Sequence, residues 1–121
     1  MKKILIIDDN KDIRIIYWLY FKAKGWEVEE AEDWIDWIKK IHQQNFDIVL
    51  LDMMMPNLDG FSVLEAIKQI SKNPVKIVAF SNMGESIDEK VKLQGADLSL
   101  IKSNYSPMEL YTKIIETFFK E

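Results

Sequence analysis

Two kinds of segment alternate along the chain, and the spacing of their apolar residues distinguishes them. Short apolar runs rich in β-branched residues predict buried strands, whereas one run with alternating apolar and polar residues predicts a strand nearer the sheet edge. The buried strands are predicted at 3–7, 46–51, 75–80 and 98–101, and the strand nearer the edge at 26–31. Helical spacing of the apolar residues between them predicts helices over 11–24, 33–43, 61–70, 85–94 and 107–119.

The order of these elements, a strand followed by a helix and repeated five times, predicts the fold class. Gly25 and Gly95 follow predicted helices, and Ser106 with Glu109 three residues later forms a capping box at the start of the last helix. Continuous apolar strands are typical of sheets buried on both faces, and crossover helices connect parallel strands. We therefore expect an α/β fold with a doubly wound five-stranded parallel sheet and five helices.

Length, composition and charge exclude several classes of protein. The 121 residues are 48% hydrophobic, which fits one domain over residues 1–121 and excludes wholesale disorder. A net charge of −4 offers no concentrated basic face for nucleic acid, and no apolar run approaches the roughly 20 residues of a membrane span. Asp8 and Asp9 interrupt the first apolar run too early for a signal peptide, and the absence of Cys is compatible with a reducing cytoplasm. We expect a cytoplasmic domain that contacts neither nucleic acid nor membrane.

Polar side chains follow four of the predicted strands, at the edge where ligands bind in such sheets. Asp8 and Asp9 follow the first strand, Asp52 the third, Ser81 the fourth and Lys102 the fifth. Three crowded carboxylates repel each other unless a cation offsets their charge, and Mg²⁺ suits oxygen ligands. The ion, the ammonium and the hydroxyl would neutralise a transferring phosphoryl group, which a carboxylate can itself accept. The chemistry predicts metal-assisted phosphoryl transfer onto an aspartate.

Each of these residues also has a simpler explanation. An Asp after a strand is often only a helix cap, and a Ser or Lys in a loop is usually solvated. The conjunction of all of them at four strand ends, in the right order, favours the functional explanation.

At these positions the chain resembles a response-regulator receiver domain of two-component signalling, of the chemotaxis-regulator type, over essentially its full length. The matching segments are ILIIDDN at 4–10, LLDMMMPNLDG at 50–60, Ser81, GAD at 95–97 and Lys102. The resemblance implies a flavodoxin-like sheet with the strand order 2-1-3-4-5.

Carried over residue by residue, the resemblance implies a phosphorylation site and a metal site. Asp52 would accept a phosphoryl group from a phosphohistidine of a sensor histidine kinase or a histidine phosphotransfer protein. Asp9 would bind Mg²⁺ directly and Asp8 mainly through water, while Asp52 and the backbone carbonyl of Met54 would complete the protein ligands. The resemblance also implies that the lysine pairs with the phosphoryl oxygens, and that Ser81 moves to hydrogen-bond them and switches protein contacts.

Three positions depart from the family pattern. Ser99 stands three residues before the lysine, where the family usually has an aromatic residue that changes rotamer; Tyr105 lies nearby in sequence. Ser103 follows the lysine where the family typically has proline. Met54, two residues after the phosphoacceptor, would hinder an attacking water, which predicts a long-lived phosphoryl group.

Apolar residues surround the first predicted helix almost completely, and the second helix carries one apolar residue off its stripe. We expect Tyr17, Ile16 and Trp37 to lie in the core. We expect Ile15, Trp18 and Ile35 to form an exposed partner surface, because large exposed apolar patches usually mark one. In the receiver family the first helix contributes to docking the kinase, so a kinase or phosphotransfer protein is one candidate partner. A homodimer is another, and an engineered surface is a third explanation.

We therefore expect a stand-alone receiver that is no enzyme for external substrates and catalyses only its own Mg²⁺-dependent phosphorylation at Asp52 and slow dephosphorylation. The alternative is a receiver-like interaction module that works, independently of phosphorylation, through an aromatic surface. Half of the 14 aromatic residues fall between positions 17 and 37: Tyr17, Trp18, Tyr20, Phe21, Trp26, Trp34 and Trp37. A hydrolase with an Asp nucleophile is disfavoured, because such enzymes commonly need a second acid where this chain has Met54.

Overall fold

The structure, a computed structural model, contains a sheet of five parallel strands. It describes residues 2–55, 59–81 and 95–119. The strands are β1 (Lys3–Ile7), β2 (Glu27–Ala31), β3 (Ile48–Asp52), β4 (Lys76–Ser81) and β5 (Leu98–Ile101). They pair in the order β2-β1-β3-β4-β5, and every pairing is parallel. The predicted sheet and its strand order are confirmed.

Helices connect the strands at the positions that the apolar spacing predicts. They are α1 (Lys11–Ala23), α2 (Trp34–Gln43), α3 (Gly60–Ile70) and a C-terminal helix (Pro107–Ile114) that continues as a π-helical turn (Ile115–Phe119). The predicted helix at 85–94 lies outside the residues that the structure describes. The predicted capping box is present, since Ser106 and Glu109 exchange hydrogen bonds between side chain and backbone. Within the described ranges, no helix has the length and apolar content needed to cross a membrane.

The helices cover both faces of the sheet and create two cores. Successive side chains of a strand point to opposite faces, so β1 contributes Leu5 and Ile7 to one core and Ile4 and Ile6 to the other. Helices α2 and α3 close the first core, whereas α1 and the C-terminal helix close the second. Because apolar side chains from the described helices pack on both faces of the sheet, the polar site is expected at the ends of the strands.

The buried face of α1 differs in one position from the predicted face. Tyr17 and Trp37 are buried as expected, but Ile16 is 51% exposed, so its predicted place in the core is wrong. The buried positions of α1 are Arg14, Tyr17 and Phe21, which lie three and four residues apart and share one face. Ile16 lies off that face, and a charged residue, Arg14, occupies the position one turn before Tyr17.

The predicted partner surface is exposed only in part. Ile15 and Ile35 are 40% and 58% exposed, as expected. Trp18 is half-buried and packs against the core beneath α1, so it is less exposed than the expected surface requires, and its role in a partner contact stays a prediction. It lies one turn before the buried Phe21, and its large ring reaches the edge of that core. The side chain of Trp34 lies outside the described part of the structure.

Candidate functional site

The carboxyl ends of the strands bring the predicted site residues to one edge of the sheet. Asp8 and Asp9 follow β1, Asp52 and Ser81 end β3 and β4, and Lys102 follows β5. The strands β1, β3, β4 and β5 are consecutive neighbours in the sheet, so these residues lie side by side. Asp8, Asp52 and Ser81 are buried, whereas Asp9 is exposed. The juxtaposition expected from the sequence is therefore present, while the chemical roles stay predictions.

Three carboxylates in this edge can hold a metal ion. Asp8, Asp9 and Asp52 each offer a carboxylate oxygen, and these oxygens lie within 4.8 Å of one another. A set of hard oxygen ligands with one exposed member fits Mg²⁺, which binds few protein carboxylates and retains several waters. The backbone carbonyl of Met54, which the resemblance adds to the ligand set, remains a predicted ligand.

Lys102 connects the two buried carboxylates of the site. Its Nζ lies 2.9 Å from Oδ2 of Asp8 and 3.2 Å from Oδ2 of Asp52. The lysine begins a short 3-10 turn (Lys102–Asn104) directly after β5, which places its ammonium across the ends of β1 and β3. One positive charge is thus shared by two buried negative charges, and the site as a whole remains acidic.

The ionisation of these groups follows from burial and from each other's charge. Burial raises the pKa of Asp52, and the negative charge of Asp8 raises it further. The backbone N–H of Met54 and the ammonium of Lys102 lower this pKa, but the net shift is upward. Burial lowers the pKa of Lys102, but its hydrogen bonds and charge interactions with Asp8 and Asp52 outweigh burial, so its pKa is raised. Lys102 is therefore positively charged at neutral pH.

One backbone N–H and the lysine fix the carboxylate of Asp52. Its Oδ1 accepts a hydrogen bond from the backbone N–H of Met54 at 2.9 Å, while Oδ2 faces the lysine. The segment after β3 is tightly packed, because a Cβ at Gly60 would lie 2.7 Å from the Cα of Met53. Glycine at the start of α3 therefore permits the helix to approach the backbone of Met53, the residue directly after Asp52. Residues 56–58 of that loop lie outside the described ranges.

Asp8 is held by more groups than the sequence predicts. Its Oδ1 accepts a hydrogen bond from the backbone N–H of Asn10 at 2.9 Å, and its own backbone N–H donates to the carbonyl of Ala31 at 3.1 Å. Its backbone carbonyl accepts a 2.6 Å hydrogen bond from the guanidinium of Arg14. Arg14 is the residue that sequence reasoning missed; the available signal was a single basic residue at core spacing from Tyr17 on an otherwise apolar helix face.

Ser99, which departs from the family pattern, lies on β5, and Tyr105 follows the short turn that begins at Lys102. Ser99 is half-buried on β5, where it pairs in register with Ala79 of β4. Tyr105 is partly buried and packs against the core that includes Phe80, the residue before Ser81. The side chain of Ser103 lies outside the described part of the chain.

The geometry suits transfer of a phosphoryl group to a carboxylate. Asp52 is a buried carboxylate with a raised pKa, an ammonium beside one oxygen and neighbouring carboxylates that can hold a divalent cation. Positive charge placed on the developing phosphoryl oxygens is the main catalytic device available for such a reaction.

Comparisons with known proteins agree with this geometry. Residues 4–115 match the family model for the response regulator receiver domain. The chain is 36% identical over 114 residues to a probable transcriptional regulator ycf27 of Guillardia theta, an alignment that covers 93% of this chain and 44% of that protein. It is 32% identical over 115 residues to a CpxR homologue of Haemophilus influenzae, with 94% and 49% covered. The chain thus spans about half the length of these curated relatives.

Solved structures show the same fold. A CheY-like receiver domain protein of Methanospirillum hungatei superposes with a TM-score of 0.86 at 27% identity, covering 96% of this chain and 92% of that one. The chemotaxis protein CheY4 of Vibrio cholerae gives a TM-score of 0.87 at 26% identity, covering 98% and 99%.

Proposed function

Since the chain belongs to the response-regulator receiver family, we propose that it accepts a phosphoryl group on Asp52 in a Mg²⁺-dependent reaction and thereby switches its contacts with other proteins. The donor is a phosphohistidine on a sensor kinase or a histidine phosphotransfer protein. The observation that carries the proposal is the meeting of three carboxylates and Lys102 at one edge of the sheet.

The transfer is a displacement at phosphorus. An oxygen of the Asp52 carboxylate forms a bond to phosphorus while the phosphorus–nitrogen bond to the donor imidazole breaks. The imidazole leaves with the bonding electron pair, which takes up a proton from solvent. Lys102, already 3.2 Å from the Asp52 carboxylate, pairs with a phosphoryl oxygen of the product, and the Ser81 hydroxyl donates to another.

The carboxylates of Asp8, Asp9 and Asp52 would hold Mg²⁺, together with the backbone carbonyl of Met54. The ion would neutralise charge on the transferring phosphoryl group. The chain itself prepares the site: Lys102 and the Asn10 N–H fix Asp8, while the Met54 N–H orients Asp52.

Loss of the phosphoryl group is slow in this proposal. Met54 stands two residues after Asp52 and is 51% exposed, and in this proposal its apolar side chain hinders water at the site. A water that attacks the aspartyl phosphate would have to displace it. The domain acts only on its own phosphorylation state, and its action as a stand-alone receiver stays a prediction.

The output is a change in protein contacts. The curated relatives are named as transcriptional regulators and are about twice as long as this chain, which supports a DNA-binding protein as one downstream partner. The net charge of −4 supports signalling through protein rather than direct nucleic-acid contact by this domain. Homodimerisation is a further predicted contact.

A second candidate function rests on a different surface. Ile15 and Leu19 lie one turn apart on α1, and Ile35 lies on α2; all three are exposed apolar residues. In the receiver proposal they dock the helices that carry the donor histidine. In an interaction module they would bind a partner regardless of phosphorylation, so binding that is unchanged by Asp52→Asn would favour the second candidate.

Intact-mass analysis with a small phosphodonor tests the proposed function. We expect a gain of one phosphoryl group that requires both Mg²⁺ and Asp52, and that is retained in the control Asp12→Asn, which alters an exposed carboxylate on α1. If folded protein gains no mass under any condition, or if Asp52→Asn gains it equally, the proposal is wrong.

A further inference from the structure

We propose that Arg14 is a positioning residue that holds the Asp8–Asp9 backbone and thereby sets the affinity of the acidic site for Mg²⁺. The inference rests on the proposed function of that site. Arg14 does not itself belong to the ligand set, because its guanidinium contacts only the backbone of Asp8 there.

The guanidinium of Arg14 joins three elements. Its Nη1 donates to the backbone carbonyl of Asp8 at 2.6 Å. Its Nε lies 3.2 Å from Oε1 of Glu30 on β2, and its Nη2 lies 3.6 Å from Oε2 of Glu32 directly after β2. The side chain is 9% exposed, so the guanidinium is fixed by packing as well as by its partners. Arg14 thus ties the end of β1 to α1 and to the neighbouring strand.

The orientation of the Asp9 carboxylate depends on the hydrogen bond from Arg14 to the Asp8 carbonyl more than that of the Asp8 carboxylate does. The Asp8 carboxylate is held by the Asn10 N–H and by Lys102. Among the residues that the structure describes, no hydrogen bond or ion pair reaches the carboxylate of Asp9, so its direction is set by the backbone. The peptide bond between Asp8 and Asp9 is planar. A hydrogen bond that fixes the Asp8 carbonyl therefore also fixes the orientation of the Asp9 backbone N–H and Cα.

The other side of Asp9 is fixed by the start of α1. Asn10 caps the helix, and its side-chain oxygen accepts hydrogen bonds from the N–H groups of Asp12 and Ile13. Asp9 therefore lies between a carbonyl held by Arg14 and a residue held by the helix. Loss of the guanidinium frees one of these two restraints.

Electrostatics alone predicts the opposite effect of removing Arg14. A guanidinium beside a cation site opposes cation binding, and its removal would also leave Glu30 and Glu32 as uncompensated negative charges. Coulombic reasoning therefore predicts tighter Mg²⁺ binding in Arg14→Met. Positioning predicts weaker binding, because groups that orient metal ligands typically contribute 10–100-fold to metal affinity. The sign of the change separates the two effects.

The test is a titration with Mn²⁺, followed by electron paramagnetic resonance of the free ion and by competition with Mg²⁺, on folded unphosphorylated protein. We expect Arg14→Met to bind Mn²⁺ about tenfold or more weakly than the wild type. Arg14→Lys should be intermediate, since an ammonium can meet the carbonyl but not all three partners. The control Lys68→Met, which removes a cation paired with Asp97 at the opposite edge of the sheet, should leave the affinity unchanged.

The outcomes separate this inference from the proposed function. If the wild type binds no Mn²⁺, the metal site and the proposed function fail together with the inference. If the wild type binds Mn²⁺ and Arg14→Met binds equally or more tightly, the inference is overturned and the proposed function stands. Should Arg14→Met not fold, Arg14→Lys decides, because an affinity equal to wild type would overturn the inference. A phosphorylation defect of Arg14→Met that saturating Mg²⁺ removes would support it independently.

Discussion

Lys102 lies between two buried carboxylates, and its removal tests the electrostatic description of the site. Its Nζ is 2.9 Å from Asp8 and 3.2 Å from Asp52, whose carboxylate oxygens lie within 4.8 Å of each other. Without the ammonium these charges repel by about 3.5 kcal/mol at an effective dielectric constant of about 20. We expect Lys102→Met to lower the free energy of unfolding by about 3 kcal/mol in metal-free buffer at neutral pH.

The loss should depend on Mg²⁺ and on pH. Mg²⁺ bound at the proposed site would neutralise the same carboxylates, so at saturating Mg²⁺ the loss should fall below about 1 kcal/mol. Burial raises the pKa of Asp52 and Lys102 opposes that rise, so the variant should have an Asp52 pKa even further above the unfolded value. An acid with a raised folded-state pKa loses stability as pH rises through the folded pKa. The difference between variant and wild type should therefore shrink as the pH is lowered through that folded-state pKa.

Urea unfolding followed by far-UV circular dichroism measures these free energies. The control Lys68→Met removes a cation from a more exposed ion pair with Asp97 and should cost less than about 1 kcal/mol. Adding Asp52→Asn to Lys102→Met should recover most of the loss, because one of the two repelling charges is gone. A loss below about 1 kcal/mol in metal-free buffer, or one that Mg²⁺ leaves unchanged, would refute the reasoning.

Three further predictions concern neighbouring residues. Gly60→Ala should lower the free energy of unfolding by about 1–3 kcal/mol in urea and slow phosphorylation, because the new Cβ would lie 2.7 Å from the Met53 backbone; unchanged stability would contradict the close approach. Burial, with a smaller effect of Asp8, raises the pKa of Tyr17 to about 12. Because the folded state holds the Tyr17 proton more tightly than the unfolded state does, the free energy of unfolding falls as pH rises from 10 towards 12. Alkaline unfolding should therefore begin at lower pH in the wild type than in Tyr17→Phe, which has no such proton. Met54→Asn should shorten the lifetime of the phosphoryl group in an intact-mass time course, whereas an equal lifetime would show that the Met54 side chain does not shield the site.

The strands and the site edge were predictable because they depend on local patterns. Runs such as 3–7 and 46–51 are apolar throughout, and parallel strands of one sheet necessarily end at the same edge. Once Asp8, Asp52 and Lys102 follow such strands, their meeting is a consequence of topology. No knowledge of loop conformation is needed for that step.

Which residues of the helices face the core was less predictable, because the polarity of a side chain alone does not decide its burial. Ile16 was expected in the core and is exposed, while Arg14 takes the buried position because its guanidinium finds partners directly after β1 and on β2, and the partner on β2 is 16 residues away in sequence. Trp18 is half-buried because a large ring beside a core position reaches the core. Another long-range contact, Trp26 against Phe119 with ring centroids 5.9 Å apart, likewise has no local signature.

The central claim is that Asp52 receives the phosphoryl group with the help of a divalent cation held beside it. Borohydride reduction converts an aspartyl phosphate to homoserine, and peptide mass mapping then identifies the modified position in the unaltered chain. After treatment with a small phosphodonor, we expect homoserine at position 52 in the presence of Mg²⁺ and almost none after chelation. Homoserine at Asp8 or Asp9 instead, or equal modification of Asp52 without Mg²⁺, would contradict the account.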